Sequence, residues 1–321
     1  MEIINGTKLS ELCDYSFGDH MGAASFPRPK GGFMKMANPA NSEFKELCKQ
    51  FKGKVMIIFI DNIRLYNRPI WANEGHDAEW VHYLLTTNDL LALCSLHKDN
   101  KFVIFTSHED TPIDSYINVP DNVLGIHAVN AEYCGGKIFP FPYGLQRELG
   151  LDDNRLSIMK EVVEKDEHIE PTKLLYINCG IERNPEREYL INFEGLPWTT
   201  TRFDKDSKFF PYSKYRDFLK ELQNHKFMIC PKGHGLDCHR NWESLYLRRV
   251  PVMIDHPYFR KLMKGFPVLF VKKWEDINED MLKTHDYLYQ EAQEMSLKKL
   301  DLNLIFNTIV QSYYNESMLS M

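Results

Sequence analysis

The sequence predicts an α/β chain built from two doubly wound domains. Three observations carry this reading: short continuous apolar runs of strand length recur, segments of helix length separate them, and 321 residues suffice for two hydrophobic cores. Continuous apolar runs suit strands buried on both faces of a parallel sheet, and such a sheet needs helical crossovers. Domains usually hold roughly 100–200 residues, so the length accommodates two.

In chain order, residues 1–53 give no clear pattern, and the Pro- and Gly-rich stretch Ser25–Gly32 reads as loop. The first strand is Val55–Ile60 (VMIIFI), ending at Asp61. A helix follows over Ala78–Leu96, then a strand Phe102–Thr106 and the polar loop Ser107–Pro112. Val123–His127 and Lys137–Phe139 are short strands, closed by Pro140, Pro142 and Gly144. Residues 150–170 are charged and helix-prone, Pro171 stops them, and the boundary is placed there, giving a first domain of 1–168. A second βα pattern occupies 169–300, with strands at Leu174–Asn178, Trp198–Phe203, Phe227–Cys230, Val250–Ile254 and Val268–Val271. Between them lie helices at Pro185–Asn192, Ser213–Asn224, Cys238–Arg248 and Tyr258–Lys264. Residues 275–318 read as helical, and the terminal stretch 301–321 is expected to cross back to the first domain. Two α/β domains facing each other across a cleft is the inferred architecture.

Composition narrows the function classes. A net charge of −6 argues against a nucleic-acid binder that relies on a broad basic face. No segment reaches the ~18 continuous apolar residues of a membrane span, and the start MEIINGTKLSELCDY lacks the basic and apolar regions of a secretory signal. The seven cysteines are odd in number, scattered and without a CxxC pair, so reduced thiols in a cytosol are expected. The sequons at Asn5 and Asn315 then carry no meaning.

The chemistry concentrates in Lys226–Ile254, KFMICPKGHGLDCHRNWESLYLRRVPVMI, which reads strand, glycine-rich loop, helix, strand. Gly233 and Gly235 let backbone approach a ligand, and Asp237 is a good N-cap for the helix. A helix N-terminus favours an anion, and Arg240 in the first turn adds a full charge with a planar donor fork. At 100° per residue Arg240, Glu243 and Ser244 share one face, while Trp242, Leu245 and Tyr246 face a core. The arginine suits a diphosphate and the glutamate suits ribose hydroxyls. An i, i+3 ion pair that merely braces the helix is the alternative use of the two. The strand Val250–Ile254 ends at Asp255-His256, beyond which ligands can bind in open α/β sheets. No GxxxxGK[ST] and no GxGxxG opening a βα unit occurs, which excludes a P-loop and weakens a nicotinamide-dependent dehydrogenase.

This segment resembles the exostosin-like glycosyltransferases. The shared pattern is P-x-G-x-G-x-D from Pro231 to Asp237, R-x-x-E from Arg240 to Glu243, and the V-P-V strand at Val250. Pro267–Trp274 is similar to the P-V-L-x-V-x-x-W segment of soluble members found in bacteria and large DNA viruses of algae. Phe102–Asp110, Ala128–Asn130 and Lys137–Leu145 resemble their N-terminal half. The resemblance spans roughly residues 100–275. It implies a GT-B fold, transfer from a nucleotide sugar, usually a UDP-sugar, to a glycan acceptor, inversion at the anomeric carbon, and no obligatory metal or cofactor. It also implies Arg240 on the diphosphate and Glu243 on the ribose. The membrane anchor of the animal Golgi members has no counterpart here.

Inverting transfer needs a base within reach of the acceptor hydroxyl. The loop after the second strand offers His108, Glu109 and Asp110, and Asp61 ends the first; the resemblance favours Asp110. His108 and Trp71, with Trp80 and Tyr83, are candidate acceptor contacts. In the second domain, Gly180, Arg183 and Arg187 between strand and helix, and Lys232 in the glycine loop, are candidate donor contacts. Cys230, His234, Cys238 and His239 form a rival zinc set, though not at zinc-finger spacing. The rivals to a transferase are therefore a binding module without turnover and a zinc hydrolase.

Overall fold

The computed structural model describes residues 1–17, 42–61, 87–107, 112–114, 116–145, 154–165, 169–204 and 214–319. The apolar runs become two five-stranded sheets, parallel throughout. Contacts divide the chain into two units: Ile4–Pro142 with Leu302–Met321, and Met1–Ile3 with Tyr143–Asp301.

In the first unit α1 (Gly6–Leu12) starts under Asn5, whose Oδ1 accepts the Thr7 and Lys8 amides at 2.9 and 3.4 Å. There follow β1 (Tyr15–Phe17), α2 (Ser42–Gln50), β2 (Val55–Asp61), α3 (Thr87–Leu96), β3 (Lys101–Ser107), β4 (Val123–Ala128) and β5 (Ile138–Pro140), in sheet order β1-β2-β3-β4-β5. Every residue of Val55–Ile60 is buried, as its unbroken apolarity requires. The C-terminal helix Leu302–Leu319 packs on this sheet: Phe306 lies 5.1 Å from Phe105, and Tyr313 Oη is 2.9 Å from His127 Nε2.

The second unit holds α4 (Arg155–Lys165), β6 (Lys173–Gly180), β7 (Thr199–Asp204), α5 (Tyr215–Gln223), β8 (His225–Ile229), α6 (His239–Tyr246), β9 (Val250–Ile254), α7 (Pro257–Leu262), β10 (Leu269–Val271), α8 (Glu279–Thr284) and α9 (Asp286–Glu294). Its sheet runs β7-β6-β8-β9-β10. The core is apolar along β6, β8 and β9 (Leu175, Ile177, Phe227, Ile229, Val250, Val252), with Trp274 and Tyr289 packed against it. Helix α5 buries Tyr215, Phe218, Leu219 and Leu222, the i, i+3, i+4, i+7 stripe of an amphipathic helix.

Three expectations change. The division falls at 142/143 and 301/302, whereas the sequence suggested 168/169 and 300/301. Helix α4, expected as a charged helix-prone stretch, buries Ile158, Met159 and Val163, and Glu161 pairs with Arg216 of α5 at 2.5 Å. The segment after β6 is 3₁₀-helical over Pro185–Phe193, not α-helical, and residues 275–318 break into short helices before the long terminal one. Among the described residues no helix is long and apolar enough to cross a membrane.

Two buried histidines give a pH expectation. Burial lowers both His127 in β4 and His225 in β8 to about 4 from 6.5. The unfolded chain takes up these protons near 6.5 and the folded chain only near 4, so the stability they confer is full above 6.5 and lost as pH falls through that window. Each contributes up to about 3 kcal/mol. An NMR titration should find both rings neutral down to about pH 4; a midpoint near 6.5 for either would refute its burial as the cause.

Candidate functional site

The second sheet reverses direction once. From β6 the chain steps outward to β7, then returns to the far side of β6 as β8. Crossovers leaving such a point diverge and open a crevice beyond the carboxyl ends of the strands, where open α/β sheets bind ligands. Here β6 ends in Asn178-Cys179-Gly180, β8 runs into the glycine loop, and α6 begins at His239.

Arg240, in the first turn of α6, reaches across to β6. Its Nη1 donates to Glu243 Oε2 at 2.6 Å, its Nη2 to Asn178 Oδ1 and its Nε to Asn178 O, both at 3.4 Å. The guanidinium carbon sits 4.2 Å from the centre of the Phe218 ring, a cation–π contact. Asn178 Nδ2 donates to Tyr176 Oη at 2.8 Å, which fixes the amide with its oxygen toward Arg240. Tyr176 Oη in turn donates to Glu221 Oε2 at 2.8 Å, and Arg202 Nη2 donates to Glu221 Oε1 at 2.6 Å. On the other side Tyr215 hydrogen-bonds Glu243. The result is one hydrogen-bonded chain from α5 through α6 to β6.

The electrostatics follow from burial. The side chains of Arg240 and Glu243 are 22% and 5% exposed. Burial works against the Arg240 charge, but Glu243 outweighs it and holds the guanidinium above its ordinary range. Burial, then Glu243, pushes the Tyr215 phenol well above its usual value. The arginine is thus a fixed cation, oriented by an asparagine, a phenylalanine and a carboxylate before any ligand arrives. Such preorganised charge suits an anion or a departing anionic group.

The loops beside it are stapled by side chains. Arg187 donates from Nε to Lys232 O, from Nη1 to Gly180 O and from Nη2 to Pro231 O, at 2.9, 2.9 and 3.2 Å. Arg187, expected to reach phosphate, is instead spent on carbonyls that join the ends of β6 and β8. Asn184 Nδ2 donates to Gly233 O at 3.0 Å, and Lys232 Nζ pairs with Glu186 at 2.5 Å. Gly180 has an ordinary φ of −76°, and a Cβ on Gly233 would come no nearer than 3.7 Å to Arg187 Nη2. These glycines therefore supply bare backbone, not a forbidden conformation. Gly235 is buried and accepts the Gly233 amide at 3.0 Å. The Arg183 side chain lies outside the described residues.

Asp237 departs from its expected place. The cap of α6 is Cys238, with no side-chain cap bond, and Asp237 is 2% exposed. Its carboxylate accepts from Asn241 Nδ2 at 2.7 Å, Trp242 Nε1 at 2.9 Å, the Tyr143 amide at 2.8 Å and the Cys238 amide. Burial pushes it up to about 7 against the pull of those four donors. Its linkage is opposite to that of the histidines: stability falls as pH rises from about 4 to 7. Burial does not separate the two faces of the helix: Glu243 and Ser244 are as buried as Trp242, Leu245 and Tyr246, while Arg240 is half-buried.

No family model and no curated protein matches the sequence. Among solved structures, the chain is similar to a crystal structure of alpha1,3-fucosyltransferase at 11% identity and a TM-score of 0.35, over 87% of this chain and 73% of that one. A score this low carries neither fold nor function across to this chain.

The other candidates divide by where they fall. Asp61 ends β2 in register with Ser107 of β3, so its backbone stands at the carboxyl end of the first sheet; its side chain lies outside the described residues. His108, Glu109, Asp110 and Trp71, with Trp80 and Tyr83, lie outside them too. The zinc set does not converge: Cys230 faces Ser244, His234 is exposed, Cys238 contacts Asn241 Oδ1, and His239 Nδ1 lies 2.8 Å from Gly144 O. Among the described residues no three His, Cys, Asp or Glu side chains gather as a metal cluster. Asp255 is held by Arg260 at 2.7 and 2.9 Å, and His256 caps α7. A cleft of about 250 Å³ opens near the amino ends of β6, β8 and β9, but its arginines serve the backbone: Arg249 bonds Gln223 O and Ile169 O, and Arg248 bonds Gln293 O and Met295 O.

Proposed function

We propose that the protein is a glycosyltransferase whose second unit holds a nucleoside diphosphate sugar at the carboxyl ends of β6 and β8. The observation that carries this reading is the convergence, at the point of strand-order reversal, of Arg240, Asn178 and Glu243 beside a glycine-rich loop. In it Arg240 neutralises the diphosphate and Glu243 accepts from the ribose hydroxyls. The exostosin-like motif adds a UDP-sugar donor and inversion. The acceptor hydroxyl oxygen then bonds to the anomeric carbon as the carbon–oxygen bond to the diphosphate breaks. The nucleoside diphosphate leaves, and the hydroxyl proton passes to a carboxylate of the first unit. Asp110 is the preferred base, with Glu109 and Asp61 as alternates, and His108 and Trp71 are the acceptor contacts. Arginine and helix N-terminus serve in place of a divalent cation. The odd, scattered cysteines without a CxxC pair favour work in a reducing cytosol.

A ligand that binds only the folded state raises its apparent stability. UDP should raise the melting temperature more than GDP, CMP or ADP at equal concentration, and EDTA should leave both the shift and donor turnover unchanged. Equal shifts, or a preference for GDP, would remove the UDP assignment. Nucleotide binding without donor hydrolysis or transfer would favour a module without turnover.

A further inference from the structure

The four donors around Asp237 come from two distant parts of the sequence. Cys238, Asn241 and Trp242 belong to the start of α6; Tyr143 is the first residue of the second unit after the chain leaves Pro142. The same two segments meet twice more. His239 Nδ1 lies 2.8 Å from Gly144 O, and since a carbonyl only accepts, the ring is the Nδ1–H tautomer. The Tyr143 ring stacks on the His239 imidazole at 4.6 Å and 28°. Gly144 has φ of +70°, which a residue with a side chain would adopt only under strain. Burial keeps the His239 pKa below its ordinary value, so the ring is neutral and the contact carries no ion pair.

The four donors named are all N–H groups. An asparagine would turn its own NH₂ toward one of them, so Asp237→Asn loses at least one of these bonds. Arg240 directly follows His239 in the first turn of α6, and Asn241 and Trp242 follow it, so whatever fixes those two side chains fixes the start of the helix that aims the guanidinium.

We infer that Asp237 is a positioning residue for the donor site: it clamps the Tyr143–Gly144 segment to the first turn of α6 and thereby sets where Arg240 points. This rests on the donor-site reading above. The clamp couples two events that the sequence keeps 94 residues apart. Ordering the Tyr143–Gly144 segment and binding an anion at Arg240 favour the same state, and the coupling acts in both directions.

The experiment compares wild type with Asp237→Asn and with Trp242→Phe, a milder break that removes the indole N–H but keeps an aromatic side chain. UDP affinity and exchange of the Tyr143 amide are measured on each folded protein well below its melting temperature. Leu282→Ala, a truncation in the second unit's core cluster, which includes none of the clamp residues, reports what lost stability alone does. UDP affinity should fall about tenfold in Asp237→Asn and two- to threefold in Trp242→Phe, with faster Tyr143 exchange in both and unchanged affinity in Leu282→Ala. In the wild type, UDP should slow Tyr143 exchange. If Asp237→Asn does not fold, Trp242→Phe and the wild-type exchange decide. Wild-type UDP binding with unchanged affinity in the variants would overturn the positioning role and leave the donor site standing. A wild type that binds no nucleotide would remove the donor site and the role with it.

Discussion

Arg240→Ala should unfold at markedly lower denaturant than the wild type. Glu243 is 5% exposed and its carboxylate stands 2.6 Å from the guanidinium, so removing the arginine strands a buried charge. Breaking such a pair costs about 3–5 kcal/mol, well above the value of an exposed one. The Phe218 ring and the Asn178 oxygen lose their partner in the same step. Loss of UDP binding in this variant therefore proves little by itself. Arg240→Lys separates the two effects. A lysine still neutralises Glu243, so most of the stability should return, but it cannot present a planar fork to a diphosphate or stack on Phe218. Equal stability of Arg240→Ala and wild type in denaturant titrations would show that Glu243 is not held by this pair.

Gly125→Ala should be comparably damaging, for a steric reason. A Cβ at residue 125 would stand 1.9 Å from Tyr313 Oη, 2.8 Å from its Cζ and 3.3 Å from Phe139 Cε2. The C-terminal helix presents Tyr313 to β4, where its hydroxyl meets His127 Nε2 at 2.9 Å. An added methyl must push the ring away, at about 1–3 kcal/mol for overpacking, and a similar amount is lost with the buried hydrogen bond. Denaturant unfolding of the single variants and of Gly125→Ala/Tyr313→Ala checks this. The double variant should be less destabilised than the sum of the two, because the truncation makes room for the methyl. Additive losses would mean that the two residues do not share the space.

The strands were legible because burial on both faces leaves an unmistakable mark: Val55–Ile60 and Phe102–Thr106 are apolar at every residue but one. That Arg240 and Glu243 stand side by side on one helix was legible from their i, i+3 spacing. What surrounds them was not. Tyr215 and Phe218 are core residues at i and i+3 of α5, yet they also flank the ion pair. Asn178 stood out only as a polar residue ending an apolar strand, and nothing local says that it faces Arg240 from 62 residues away. Asp237 had the sequence position of a cap, but the indole of Trp242 and the amide of Tyr143 draw its carboxylate inward. Helix α4 read as charged and helix-prone because its charges lie on the exposed side, where Lys165 and Arg216 meet Glu161. Fixed spacing carries local geometry; contacts between distant segments leave no such trace.

The most direct test of the site is UDP affinity in Arg240→Lys, measured on protein whose unfolding matches the wild type. Hydrogen bonds from a charged group are worth about 1.5–3 kcal/mol, so losing the fork should weaken binding roughly ten- to a hundredfold. An affinity equal to that of the wild type would contradict a diphosphate site at Arg240.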